Sequence, residues 1–209
     1  MDPPALGLYV AASLALIATP GQDMMYVISR SLAQGRVAGV ASAGGVCLGI
    51  LVHTALAALG LAALLQASPA LFAALRLGGA AYLAWLGLRM LFAPSREALP
   101  GRSAARASLG SLVRQGMASN VMNPKIIVFF VAFLPQFVDP ASAHPTRDLA
   151  FLGSLYAAMA FPVKSAVGLA AGTLSERLRR TPAALAWMQR ASGAILVVLG
   201  ARLAFAGRP

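Results

Sequence analysis

The sequence predicts an all-α polytopic membrane protein: six transmembrane helices as two inverted three-helix repeats, with spans one and four broken. Three observations carry that expectation. The 209-residue chain is 59% hydrophobic and only 11% charged, with a mean hydropathy of +0.75. A soluble domain of this length cannot hide so much apolar surface, so part of its solvent must be lipid. From Val37 to Leu75 there is no Asp, Glu, Lys or Arg, and one span needs about 20 residues at about 1.5 Å rise each. Finally, the first and fourth apolar runs are interrupted in matching fashion, by Thr19-Pro20-Gly21 and by Asn123-Pro124-Lys125.

Six apolar segments follow in order: Ala5–Ile28, Val37–Leu65, Ala70–Phe92, Leu112–Val138, Leu149–Leu174 and Ala183–Phe205. The leading "MDPPALG" has Asp2 where a signal peptide would carry positive charge, so the first run is expected to be retained. Pro69, Pro94, Pro140 and Pro182 fall between segments, where proline interrupts nothing. In the sixth, Arg190 and Arg202 sit near the ends, where long stems can snorkel to the interface. The chain is expected to form one transmembrane domain, 1–209: repeat one over 1–93, a cytoplasmic Arg-rich linker over 94–111, and repeat two over 112–209.

Basic residues set the orientation. Connection one-two carries Arg30 and Arg36; three-four carries Arg89, Arg96, Arg102, Arg106 and Arg114; five-six carries Arg177, Arg179, Arg180 and nearby Arg190. Connection two-three has none, and four-five has only Arg147. Positive-inside logic puts the basic connections in the cytoplasm and both termini outside. Three spans per repeat force the halves into opposite orientations, a plan shared by many transporters. Gly45-x-x-x-Gly49 in span two is echoed by Gly168-x-x-x-Gly172 in span five, and small residues four apart let helices approach closely in lipid. Such faces could also serve self-association as a homodimer.

Asn123 followed by Pro124 reads as a helix start, with Asn as the cap and Pro at the first helical position. Thr19 followed by Pro20 repeats that grammar, and Gly21 adds backbone freedom. Each break is expected to create a second half-helix whose N–H groups face mid-membrane, where hydrocarbon cannot satisfy them. Two such positive ends suit a carboxylate. A single break of this kind would more often be a simple kink; two in matched places, each beside an ionisable residue, favour a binding site.

Those residues are Asp23 and Lys125. Charges at the membrane centre cost about 2.5–3.5 kcal/mol on insertion scales, so they tend to be paired or functional. Asp23 is expected either to complement its helix N-terminus or to act on substrate or protons; for Lys125 a cavity-facing position is favoured over snorkelling. Lys164, beside Pro162, would either pair with Asp23 and lock the bundle or contribute to the site. His53 is expected to be a hydrogen-bonded core histidine. Trp85 and Trp187 suit interfacial belts.

Other classes are disfavoured. The +11 formal charge is spread between apolar runs with no basic face, so nucleic acid is not an expected partner. Cys47 is the sole cysteine, which excludes an internal disulfide, a CxxC relay and a cysteine metal cage. Two histidines and no acidic cluster argue against a metal site. No catalytic constellation and no phosphate-binding GxxxxGK[ST] loop is present, so neither an enzyme nor a cofactor is expected.

Four stretches carry a family resemblance: "ATPGQDMMYVISRSLAQGRVAG" (Ala18–Gly39), "GLAALLQASPALFAALRLGGAAYLAWLG" (Gly60–Gly87), "NVMNPKIIVFFVAFLPQFVDP" (Asn120–Pro140) and "SGAILVVLGARL" (Ser192–Leu203). Over almost the whole chain the sequence resembles the LysE/RhtB amino-acid exporters, small bacterial proteins of six expected spans. The resemblance implies a multi-pass protein of the bacterial cytoplasmic membrane that exports amino acids. It assigns Pro20, Gly21 and Asp23 to the first broken helix and Asn120, Asn123, Pro124 and Lys125 to the second. Gln22 departs from the family pattern, where a second proline is usual. So does "FPVKSAVG", where the family tends toward an Asp and an aromatic residue.

A zwitterionic amino acid needs a partner for each charge. The half-helix N-termini with Lys125 would take its carboxylate and Asp23 its ammonium. Lys164 would oppose a cationic side chain, so neutral amino acids of the homoserine, threonine or leucine kind are expected over lysine or arginine. The membrane potential, about 2.3 kcal/mol per charge per 100 mV, could drive export by proton exchange. Asp23 is the candidate carrier, since burial disfavours a charged carboxylate. The competing expectation is a passive channel or facilitator for small solutes.

Overall fold

The computed structural model describes residues 3–19, 21–61, 63, 69–92, 106–139, 142–180 and 182–205. Pro20, Pro94, Pro140, Arg96 and Arg102 lie outside the described residues, as do the surroundings of Gly172 and the side chains of Arg177, Arg179 and Arg180. Eight α-helices and no strand occur among the described residues. In chain order they are α1 (Pro3–Ala18), α2 (Gln22–Gln34), α3 (Arg36–Leu56), α4 (Pro69–Phe92), α5 (Leu109–Val121), α6 (Pro124–Val128), α7 (Pro145–Arg180) and α8 (Pro182–Phe205). A π-helical turn over Ala57–Leu61 prolongs α3. A second π turn, Phe129–Phe133, and a 3-10 turn, Leu134–Phe137, prolong α6.

Local chemistry explains these limits. Gly35 has φ 91°, a left-handed conformation that favours glycine, and its N–H donates to Ser31 O at 2.8 Å. That geometry ends α2 six residues beyond the apolar run expected to close at Ile28. Ser108 caps α5, accepting a hydrogen bond from Ser111 N. Asn123 caps α6 with Pro124 next, as the sequence grammar predicts. By contrast, α7 runs uninterrupted over 36 residues with Pro162 inside it, well past the span expected there.

By length and composition two helical stretches can cross a membrane, Arg36–Leu61 and Pro145–Ala171. The pair Leu109–Val121 and Pro124–Phe137, bent by 54° at its break, makes a third. The layout of six spans is not reached on this criterion. One reason is the first break: α1 has 16 residues and α2 has 13, about 24 and 20 Å of helix, against a hydrocarbon core of about 30 Å. Large apolar side chains nevertheless face outward along the long helices, among them Leu48, Leu51, Leu56, Phe151, Phe161 and Val198. Hydrocarbon solvates such faces and water does not.

The buried core joins α1, α3, α6 and α7 around Tyr9, Leu16, Ile50, Phe129, Phe130 and Tyr156. α3 packs along α5 and α7, and α4 packs along α8. The close approaches are glycine-lined. Gly39 meets Gly168 while Thr54 meets Gly153, so α3 and α7 run antiparallel. Gly87 meets Gly193 while Ala80 meets Gly200, so α4 and α8 do the same. Gly45 and Gly49 face α5, whereas Gly168 lies against both Gly39 of α3 and Val27 of α2.

A methyl group added at Gly45 would overlap the Val113 backbone, which cannot swing aside. Gly45→Ala is therefore expected to lower stability by about 1–3 kcal/mol, the usual range for overpacking. At Gly44 nothing lies within 4 Å of the added atom, so Gly44→Ala, in the interior of α3, is expected to hold or slightly raise the melting temperature. Equal melting temperatures for the two variants would contradict the packing.

Candidate functional site

The two breaks come together. Gly21, in extended backbone (φ −151°), is the N-cap of α2. A Cβ placed there would lie 3.0 Å from Lys125 Nζ, so the first break directly faces the side chain that follows the second. Asp23 occupies the first turn of α2, where the helix dipole favours a carboxylate, and is 1% exposed. Its Oδ1 accepts Met24 N–H at 3.0 Å, and its Oδ2 accepts Lys164 Nζ at 2.7 Å. Asn120, in the last turn of α5, brings Nδ2 to 3.5 Å from the same Oδ2.

Lys164 reaches Asp23 from α7 and is itself 3% exposed. Of the two roles open from the sequence, the ion pair is the one formed here. A pair this deep is costly to assemble, and loss of one member leaves an uncompensated buried charge.

Lys125 is also buried, but its ammonium is turned toward α1, donating to Leu16 O at 3.3 Å and Thr19 O at 3.1 Å. It therefore sits buried at the negative end of α1. The sequence pattern draws attention to the N–H groups that a break releases, but the carbonyls matter equally here. Each break frees C=O groups at the end of its first half-helix, and that signal, available in "ATPG", points to the acceptors that hold Lys125.

The second break departs from the expected free amide end. Asn123 N–H donates to Asn120 O at 2.9 Å, Pro124 has no N–H, and Lys125 N–H donates to Asn123 Oδ1 at 3.1 Å. Ile126 and Ile127 N–H both donate to Asn123 O at 3.0 Å. These donors are used within the chain, so the α6 N-terminus presents no free amides to a carboxylate in this conformation. Pro124 itself is exposed while Asn123 and Lys125 are buried. Pro20 lies outside the described residues.

The site is closed on several sides. His53 Nε2 lies 3.3 Å from Asn120 O, and its ring packs on Phe130. Tyr9, Phe129, Phe133, Phe137 and Tyr156 form a continuous aromatic cluster. Elsewhere Tyr26 OH donates to Leu112 O at 2.8 Å and Arg30 to Gln115 Oε1 at 2.8 Å, fastening α2 to α5. The aromatic cluster was not singled out in the sequence, although "FFVAFLPQF" signals it. Among the described residues no group of three or more His, Cys, Asp or Glu side chains could hold a metal ion.

The chain is 36% identical to an uncharacterized membrane protein of Pseudomonas aeruginosa, over 97% of this chain and 98% of that one. It is 28% identical to a leucine efflux protein of an Enterobacter species, over 94% and 93% of the two chains. A leucine efflux protein of Klebsiella pneumoniae is 34% identical over 66% of this chain and 65% of its own length. No solved structure gives a significant match. The model of the LysE type translocators matches residues 14–207, nearly the entire chain, and this protein belongs to that family.

Proposed function

We propose that the protein exports neutral amino acids, leucine among them, from the bacterial cytoplasm, binding each as a zwitterion where the two helix breaks meet. One observation carries the reading: a buried carboxylate and two buried ammonium groups, Asp23, Lys125 and Lys164, converge on that junction. Charge so deep in a membrane protein is expensive and tends to be functional. Membership of a translocator family and likeness to proteins named for leucine efflux support amino-acid export. Asp23 is the partner for the substrate ammonium. Lys164 receives the carboxylate, Lys125 adds positive potential from its seat on the α1 carbonyls, and Gly21 keeps the ground before Lys125 open. Lys164 opposes a cationic side chain, which favours neutral substrates.

Around this site we place six spans in two inverted repeats, 1–93 and 112–209, joined by the cytoplasmic linker 94–111. The antiparallel pairs α3/α7 and α4/α8 support that plan, and the basic connections support termini outside. Proton exchange through Asp23 supplies the driving force. An Asp23→Asn variant that still moved protons in step with substrate would remove that part of the account.

Counterflow in sealed proteoliposomes tests the reading with labelled leucine, threonine, homoserine, lysine and arginine. The expected result is exchange of neutral amino acids, with leucine accumulating against its gradient and lysine ignored. Lysine transport with leucine ignored would overturn the substrate class. Leucine equilibration without accumulation would favour a passive facilitator.

A further inference from the structure

The Asp23–Lys164 pair joins opposite charges much as an amino acid joins its own ammonium and carboxylate. We infer that Lys164 is a tethered stand-in for the substrate ammonium: without substrate it occupies Asp23, and an amino acid binds by parting the pair. The substrate ammonium then takes Asp23, and the released Lys164 takes the substrate carboxylate. This assignment rests on the amino-acid reading above and adds to it the device by which the site recognises a zwitterion.

The geometry fixes which groups a bound ligand must replace. Asp23 Oδ1 is already committed to Met24 N–H, so Oδ2, where Lys164 sits at 2.7 Å, is the oxygen open to exchange. Lys125 does not replace Lys164, because its ammonium is held by Leu16 O and Thr19 O. Both members of the pair are at least 97% buried, so separating them without matched replacements strands two charges away from water. An amine without a carboxylate would release Lys164 with no partner. A carboxylic acid without an amine would strand Asp23. Only a molecule carrying both charges compensates both at once.

Two polar atoms on the asparagines of the second break add to this. Among the described residues Asn120 Oδ1, which faces Gly49, and Asn123 Nδ2 are two of seven buried side-chain polar atoms without a hydrogen-bond partner, one an acceptor and the other a donor. Their orientations follow from committed partners: Asn120 turns Nδ2 toward Asp23, and Asn123 uses Oδ1 to cap α6. Unsatisfied buried polar atoms are uncommon in folded proteins, and a zwitterion brings both a donor and an acceptor.

The test compares three ligands on purified full-length protein in detergent: leucine, leucinamide and 4-methylpentanoate, which carry both charges, the ammonium alone and the carboxylate alone. Affinity is read by calorimetry at a pH that keeps the leucinamide amine charged. Wild type is expected to favour leucine over either analogue by about a hundredfold or more, because each leaves a buried charge unpaired. Lys164→Met is expected to bind leucinamide at least as tightly as leucine. Should that variant fail to fold, the neutral pair Asp23→Asn with Lys164→Gln strands no charge. In it the preference for leucine over leucinamide is expected to shrink to about threefold or less. Retention of the wild-type preference in either variant would overturn the assignment while leaving amino-acid binding intact. A wild type that binds no neutral amino acid would instead overturn the functional reading, and this assignment with it.

Discussion

Asp23→Asn is expected to destabilise the fold by about 3–5 kcal/mol, the usual range for breaking one member of a buried ion pair, and to abolish export. The variant leaves Lys164 with no anion, in a setting where it is only 3% exposed. The asparagine oxygen can still accept hydrogen bonds from Lys164 and Met24, but it carries no charge to offset the ammonium. Adding Lys164→Gln removes the stranded charge. The double variant is therefore expected to recover most of the lost stability and none of the transport. Cys47, the sole cysteine of the chain and buried, provides a built-in reporter, because its thiol becomes reactive as the protein unfolds on heating. If the single variant melted like wild type, the pair would contribute nothing to the folded state. If the double variant transported, Asp23 would have no part in the site.

The second large effect is expected at Lys125. Lys125→Met removes the donor to Leu16 O and Thr19 O, and each buried acceptor left unsatisfied costs about 1–3 kcal/mol. The same change deletes the link by which the second break holds the end of α1. Initial rates of leucine counterflow are expected to fall by about a hundredfold, as small misplacements of a site can do. Lys125→Arg keeps the charge, but a planar guanidinium presents its donors in a fixed fork that does not reproduce the compact ammonium held by Leu16 O and Thr19 O. Only partial recovery is therefore expected from it. Wild-type counterflow in Lys125→Met would show that the bridge between the breaks is dispensable.

Much of this arrangement is legible in the sequence, for identifiable reasons. Asn123-Pro124 announces a helix start because the cap and the fixed proline φ are local chemistry, and α6 begins there. The depth of Asp23 and Lys164 follows from their placing inside apolar runs, and the sequence already raises their pairing. The end of α2 at Gly35 was less visible, because apolar periodicity stops at Ile28 while the helix continues through a polar turn. The partner of Lys125 was hidden for a different reason. Its acceptors are backbone carbonyls more than a hundred residues away, and main-chain groups carry no mark in a sequence. The satisfied amides at the second break are equally silent, since they depend on how Asn120 and Asn123 fold back on each other. Prediction from the breaks alone counted donors and missed the acceptors that arise with them.

The central claim is that two interrupted helices build one shared site for a zwitterion. The measurement closest to it is an experimental structure of the protein in a lipid nanodisc with leucine bound. The account predicts ligand density between the two breaks, with the leucine amino group on Asp23 and Lys164 moved off it to the leucine carboxylate. Leucine bound elsewhere, with the Asp23–Lys164 pair still closed, would contradict it.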